Sequence, residues 1–129
     1  MKKLIAYFSR TGENYVDGTL KTLKVGNTEV VANMIKKHTD ADVFKIVPVV
    51  SYSDDYNHCI AEAQMDQRKN ARPELVSYPD SIAEYNVIYL GYPNYWGTMP
   101  MCVQKGRIVF PLKLKCSKNV NTHIGIVPQ

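Results

Sequence analysis

The stretch LIAYFSRTGEN, residues 4–14, decides the fold of this 129-residue chain. Its first five residues are apolar and mostly large, which predicts a buried parallel strand. The strand runs directly into a polar turn whose one glycine, Gly12, permits a positive φ where the chain doubles back. Backbone N–H groups converge in such a turn, and Ser9, Thr11 and Asn14 can add side-chain donors. The turn is therefore a candidate cradle for a phosphate ester, with an ordinary polar β-to-α turn as the alternative.

A helix is predicted downstream of this turn, over the segment GNTEVVANMIKKH at residues 26–38. Asn27 or Thr28 can cap its N-terminus, an acid follows in the first turn, and apolar residues recur at helical spacing before a basic last turn. Residues 15–25, between the turn and this helix, receive no assignment. Because the N–H groups at a helix N-terminus are unpaired, they can point at the same anion as the polar turn.

Two further strands and a second helix extend the order to βαβαβ. Residues 43–47 and 85–90 predict the strands, and the segment from Ser53 to Pro73 predicts the helix. One more helical turn is expected over residues 81–84. Right-handed crossovers then give a doubly wound parallel sheet, in which the first and third strands are neighbours and their carboxyl ends share one crevice.

The loop after the third strand, GYPNYWGTMPM at residues 91–101, is unusually aromatic for a solvated loop. It contains Trp96, the only tryptophan of the chain, next to Tyr95. A planar ring stacked on either side chain would account for them, and Gly97 would let the backbone approach heteroatoms of that ring. The alternative is that Tyr95 and Trp96 fold inward as core or oligomer-interface residues.

The strand with SRTGEN, the helix opening at GNTEVVA and the loop GYPNYWGTMPM together resemble the flavodoxin family, over residues 3–101. The resemblance implies an α/β fold, a flavodoxin-like doubly wound parallel sheet in three α/β/α layers, and a site for flavin mononucleotide (FMN). The residues that it assigns to FMN are Ser9, Arg10, Thr11, Gly12, Asn14, Asn27 and Thr28 around the phosphate, and Pro93, Asn94, Tyr95, Trp96 and Gly97 beside the isoalloxazine ring. In the family, the backbone after the aromatic residue meets flavin N5 and can reorient with redox state, a role that Gly97 could fill.

The function that this resemblance implies is electron transfer between redox partner proteins through non-covalently bound FMN, without a catalytic side chain or a metal. A phosphate held largely by neutral N–H and O–H donors keeps its negative charge close to the flavin, and an electron-rich aromatic ring stacked on the flavin disfavours added negative charge on it. Both effects should lower the potential for full reduction. Two alternatives stay open: a residual scaffold that no longer binds flavin, and a flavin-dependent NAD(P)H:quinone reductase whose site is shared between subunits.

Residues 102–129 differ in composition from the rest of the chain. They carry a net charge of +5 without one acidic residue, whereas residues 1–101 carry −1. At most two short strands, and no helix of useful length, are predicted there. We therefore expect an FMN-binding core at 1–101 and an atypical basic C-terminal segment of the same domain, from a truncated, frameshifted or otherwise replaced C-terminus. The open edge of the third strand should pair with this tail or, in a homodimer, with another subunit.

Composition and motifs argue against several other classes of protein. The chain is 45% hydrophobic and 22% charged, as globular proteins are. No apolar run approaches the roughly 20 residues of a membrane span, and no signal-peptide pattern is present, so a cytoplasmic protein without membrane contact is expected. Three cysteines without C-x-x-C spacing favour free thiols. The basic tail lacks a nucleic-acid-binding motif and is interpreted as solvated charge.

Overall fold

The computed structural model describes residues 1–109, 115–116 and 122–128. Five strands form one sheet in the order β4-β1-β5-β7-β6, and β2 and β3 form a separate antiparallel hairpin. The elements in chain order are β1 Lys3–Tyr7, β2 Gly12–Val16, β3 Thr19–Leu23, α1 Asn27–Thr39, β4 Asp42–Lys45, α2 Tyr56–Arg68, β5 Val87–Pro93, α3 Met101–Val109, β6 Lys115–Cys116 and β7 Thr122–Pro128.

Strand β1 is the centre of the parallel part of the sheet. It pairs in parallel with β4 on one side and β5 on the other, so that Ile5 lies between Val43 and Tyr89. The predicted adjacency of the first and third strands of the βαβαβ unit is confirmed. Because β1 and β5 run in the same direction, the segments that leave their carboxyl ends emerge at one edge of the sheet.

The two faces of β1 are buried under different helices. Ile5 and Tyr7 pack against Ala32 of α1, whereas Ala6 and Phe8 join a cluster that includes Cys102 of α3. Burying a large apolar side chain contributes about 1.5–3 kcal/mol, so a strand that is covered on both faces is strongly held. The predicted three-layer α/β/α arrangement follows from this burial.

The unassigned segment between β1 and α1 is the β2–β3 hairpin. Val16 pairs with Thr19 across a two-residue turn, and the turn residues Asp17 and Gly18 have φ of 51° and 83°. An Asp-Gly pair is the usual sequence for this kind of turn, since both positions need a left-handed backbone. The dipeptide was therefore the local signal for the hairpin.

Two expectations about helical segments were wrong. Helix α3 spans Met101–Val109, where no helix was expected. Its first three residues are buried against the sheet, and such a consecutive apolar run carries no helical periodicity in the sequence. Residues 81–84 form a turn, closed by the Tyr85 N–H and the Ile82 carbonyl at 3.1 Å, rather than a turn of helix.

The C-terminal tail supplies the neighbour of β5. Strand β7 pairs antiparallel with β5 over seven residues, and β6 follows at the outer side of β7. Of the two partners expected for this edge, the structure therefore shows the tail. Expectations for residues 110–114 and 117–121 lie outside the described residues.

Candidate functional site

A cleft of about 370 Å³ opens where β1 and β5 end. Its volume is within the range of small-molecule sites. The cleft is lined by two of the residues predicted to bind the phosphate, by all five residues predicted to lie beside the isoalloxazine ring, and by one face of α2. The lining residues are Arg10, Asn14, Tyr15, Tyr56, Cys59, Ile60, Ala63, Pro93, Asn94, Tyr95, Trp96 and Gly97.

The α2 side of the cleft follows helical spacing. Tyr56, Cys59, Ile60 and Ala63 occupy positions i, i+3, i+4 and i+7, which share one face of a helix. This spacing predicts a helix, but it does not indicate that the shared face lines a cleft. Cys59 and Ala63 are buried within it, so the cleft has an apolar surface along α2.

A tight turn presents the aromatic residues after β5. Tyr95 and Thr98 exchange two backbone hydrogen bonds, of 2.8 and 3.2 Å, around Trp96 and Gly97. Trp96 has φ of 52° and Gly97 has φ of 82°, so both tip residues are left-handed. The indole Nε1–H of Trp96 donates to the Ile60 carbonyl of α2 at 2.8 Å. This bond fixes the ring against the helix while half of the side chain stays exposed.

The side chain of Tyr95 points into the protein instead. Its ring packs edge-on against Phe8 and Tyr52, with centroid distances of 6.0 and 5.6 Å. The Cys59 thiol donates to its hydroxyl at 3.6 Å. Tyr95 thus packs against the core at the bottom of the cleft, as the alternative interpretation expects, whereas Trp96 remains at the surface of the cleft.

Arg10 is the most strongly held polar side chain of the cleft. Its guanidinium donates to the carbonyls of Glu13 (3.1 and 2.9 Å), Ser53 (2.5 Å) and Asp54 (3.1 Å). The residue is 9% exposed, and none of the described carboxylates forms an ion pair with it. A buried cation without an anionic partner is costly, which favours an anionic ligand beside it.

The N-terminus of α1 is capped from outside the helix. Neither Asn27 nor Thr28 acts as the predicted cap: the N-cap residue is Gly26, and Ser9 Oγ accepts from the Glu29 N–H at 3.1 Å. Ser9 reaches this position because Gly26 has no side chain that would separate the two segments. The Ser9 hydroxyl therefore satisfies one of the N–H groups that were expected to face an anion.

The predicted phosphate residues do not all face one cavity. Arg10 and Asn14 line the first cleft, whereas Ser9, Arg10 and Thr11 line a second cleft of about 300 Å³ beside Lys45. Gly12, with φ of 79°, packs on Asp54. Asn27 is exposed, and Thr28 is buried between α1 and the sheet, next to Gly91.

Two aromatic residues of the first cleft were missed in the sequence. Tyr15 lies on β2 and Tyr56 begins α2, and their ring centroids are 6.0 Å apart. No local pattern joins residues 41 positions apart in the chain. The only local signal was Tyr15, an aromatic residue directly after the polar turn.

Burial keeps the tyrosine and cysteine side chains at the bottom of the cleft in their neutral, protonated forms. Desolvation raises the pKa of Tyr95 and of Tyr52 well above their ordinary range, and the pKa of Cys102 to about 12. Burial also raises the pKa of Cys59, although the Tyr95 hydroxyl and the Arg10 charge oppose that shift. At neutral pH these groups are uncharged, so the positive charge of Arg10 dominates this side of the cleft.

These shifts predict a loss of stability in alkali. Unfolded cysteine and tyrosine ionise near pH 8.5 and 10, before the buried groups do, so rising pH favours the unfolded chain. The stabilisation should be complete below about pH 8.5 and decrease by about 1–2 kcal/mol between pH 8.5 and 10, mainly through the buried Cys102 thiol. Urea unfolding at several pH values measures it. Cys102→Ala should lower the stability at every pH but give a shallower decrease with pH, and a stability of the parent protein that stays constant up to pH 10.5 would contradict the prediction.

Comparison with known proteins supports the fold. A family model described as Flavodoxin matches residues 2–112, which extends into α3 and past residue 101. The chain is similar to a candidate flavoprotein from Bacteroides eggerthii, at 25% identity and a TM-score of 0.67 over 87% of this chain. It is also similar to a candidate flavoprotein from Bacteroides uniformis, at 27% identity and a TM-score of 0.62 over 81% of this chain. This chain spans 64% and 60% of those two chains. No curated protein matches it.

The described residues contain neither a membrane span nor a metal cluster. No helix among them has the length and apolar character of a membrane span. No group of three or more histidine, cysteine or acidic side chains in the same part of the chain is arranged to hold a metal ion.

Proposed function

This chain belongs to the flavodoxin family, and we propose that it binds FMN in the first cleft and transfers electrons between redox partner proteins in the cytoplasm. The main support for the proposal is that Arg10 and the turn that presents Trp96 line the same cleft. A planar conjugated ring with an attached anion has both features that this lining can recognise. Candidate flavoproteins among the similar structures support the same choice of ligand.

The donor set fits the phosphate end of FMN. Arg10 presents a buried guanidinium at the junction of both clefts, and its charge has no anionic partner among the described residues. The guanidinium already makes four hydrogen bonds to carbonyls, so its attraction for a phosphate is mainly that of an uncompensated positive charge. We infer that the phosphate lies near Arg10, with the hydroxyls of Ser9 and Thr11 as hydrogen-bond donors, whereas the Asn14 amide N–H groups donate to the carbonyls of Arg10 and Gly12.

The turn at residues 95–98, which carries Trp96, suits the isoalloxazine ring of FMN. The half-exposed indole of Trp96 offers a π-face, and Pro93 and Asn94 complete the same side of the cleft. Gly97 has open space where a side chain would be, so a ring can approach its backbone. When bound, FMN supplies the redox chemistry. The chain orients the ring, excludes water at the buried Tyr95 side and leaves the Trp96 edge accessible to a partner protein.

The first test is the absorption spectrum of the purified protein, followed by titration with FMN. Trp96 is the only tryptophan, so quenching of the intrinsic indole emission reports ligand at the turn. Yellow protein or saturable quenching supports the proposal. Colourless protein without quenching at high FMN favours a scaffold that no longer binds flavin. NAD(P)H oxidation with a quinone as acceptor would instead favour a reductase.

Trp96→Ala is expected to weaken FMN binding about tenfold, because stacking on an aromatic face contributes roughly 1–3 kcal/mol. The emission of FMN itself reports binding in this variant. Trp96→Phe keeps an aromatic face and should lose less affinity for FMN than Trp96→Ala does. Equal affinity in all three proteins would mean that the indole does not stack on the ligand.

A further inference from the structure

The β2–β3 hairpin places an aromatic pair at the end of the cleft where α2 begins. Tyr15 of the hairpin is 52% exposed, and its ring lies 6.0 Å from that of Tyr56, with an angle of 32° between the ring planes. Both residues line the cleft. The hairpin begins within the polar turn and ends before α1, and the proposed function assigns no role to its residues 15–23.

We propose that the Tyr15–Tyr56 pair is a second aromatic wall, which stacks on the face of the planar heterocycle turned away from Trp96. The inference rests on the proposed function, because it names residues that hold the ring of the same ligand. It assigns to the inserted hairpin a direct part in ligand binding.

The spacing along α2 suits a ring between two walls. Trp96 is tied to the carbonyl of Ile60, one helical turn or about 6 Å along the axis from Tyr56. A ring between two aromatic faces needs about 7 Å, since carbon atoms in contact are about 3.5 Å apart. The points at which the two walls attach to α2 are therefore spaced by a similar length along one helix.

The pair is also held in position before any ligand binds. The Glu13 N–H donates to the Asp54 carbonyl at 3.0 Å, and Arg10 binds the carbonyls of both residues. Glu13 is two residues from Tyr15, and Asp54 is two residues from Tyr56. Because the base of the hairpin is joined to the start of α2, little freedom is lost when a ring enters.

This wall does not depend on the atypical tail. Every described residue that lines the cleft lies between Arg10 and Gly97. Both faces of a planar ligand can thus be covered by the N-terminal part of the chain.

The test compares Tyr15→Ala with Leu20→Ala. Leu20 is the direct cross-strand partner of Tyr15, so either truncation removes the same hairpin contact, but only Tyr15 lines the cleft. FMN and riboflavin are titrated against Trp96 emission in each protein. Tyr15→Ala should raise both dissociation constants about fivefold to tenfold. Leu20→Ala should change them less than twofold, and Tyr15→Phe should restore nearly full affinity.

Each outcome separates the inference from the proposed function. Binding by the parent protein, with equal losses in Tyr15→Ala and Leu20→Ala, overturns the second wall and leaves the FMN site intact. A loss in Tyr15→Ala that Tyr15→Phe does not restore also overturns it, because the ring face would not be the contact. The absence of FMN and riboflavin binding in the parent protein overturns both.

Discussion

Gly26→Ala is expected to lower the free energy of unfolding by about 3 kcal/mol, at the upper end of the usual cost of overpacking. A β-carbon at this position would lie 2.2 Å from Ser9 Oγ and 2.5 Å from the Arg10 carbonyl oxygen. The backbone oxygen cannot rotate away, so the turn after β1 must separate from the start of α1. Urea unfolding followed by far-ultraviolet circular dichroism measures the loss.

Gly18→Ala is the matched control for this steric argument. Gly18 has φ of 83° and nothing within 4 Å of an added β-carbon, whereas Gly26 has an ordinary φ of −68°. Gly18→Ala should therefore cost about 1 kcal/mol, from backbone strain alone. If the two variants lose equal stability, the close approach at Gly26 is not the cause of its effect.

Arg10→Lys should cost about 3 kcal/mol, although it keeps the charge. The planar guanidinium reaches three carbonyls in a fixed fork, and an ammonium group cannot span them. Two or more charge-assisted hydrogen bonds are lost, and each contributes about 1.5–3 kcal/mol before the remaining bonds readjust. The midpoint and slope of urea unfolding measure the change.

Arg68→Lys is the control, because Arg68 lies in the exposed last turn of α2 and should change stability by less than about 0.5 kcal/mol. A stability of Arg10→Lys close to that of Arg68→Lys would show that the fork contributes little. The preference for FMN over riboflavin measures how much the positive charge of residue 10 contributes to binding the phosphate. We expect Arg10→Lys to retain much of this preference, because lysine keeps the charge. In the parent protein, 1 M salt should reduce the preference.

Several features of the fold were predictable because they depend on neighbouring residues. The apolar run of β1, the acidic first turn and basic last turn of α1, and the spacing of Tyr56, Cys59 and Ile60 on α2 are local patterns. The adjacency of β1 and β5 follows from the handedness of crossovers, and it indicated which two loops meet. The Asp17-Gly18 turn was equally local and was overlooked.

The orientation of individual side chains was not predictable in the same way. Ser9 caps α1, Arg10 binds three carbonyls, and Tyr95 points into the core while Trp96 stays exposed. Each outcome depends on at least one partner that lies 20 or more residues away in the chain. A hydroxyl or guanidinium group takes whichever buried N–H or carbonyl would otherwise lack a hydrogen bond, and that partner exists only after folding.

The sequence by itself determined the adjacency of β1 and β5, helices α1 and α2, and the edge of the sheet at which polar and aromatic loops converge, because hydrophobic periodicity and crossover handedness act along the chain. Only the tertiary structure decided that residues 101–109 are helical and that the tail pairs with β5. It alone brought Tyr15 to Tyr56. These contacts join segments far apart in the chain, and burial and hydrogen bonding between such segments leave no periodic signal in either one.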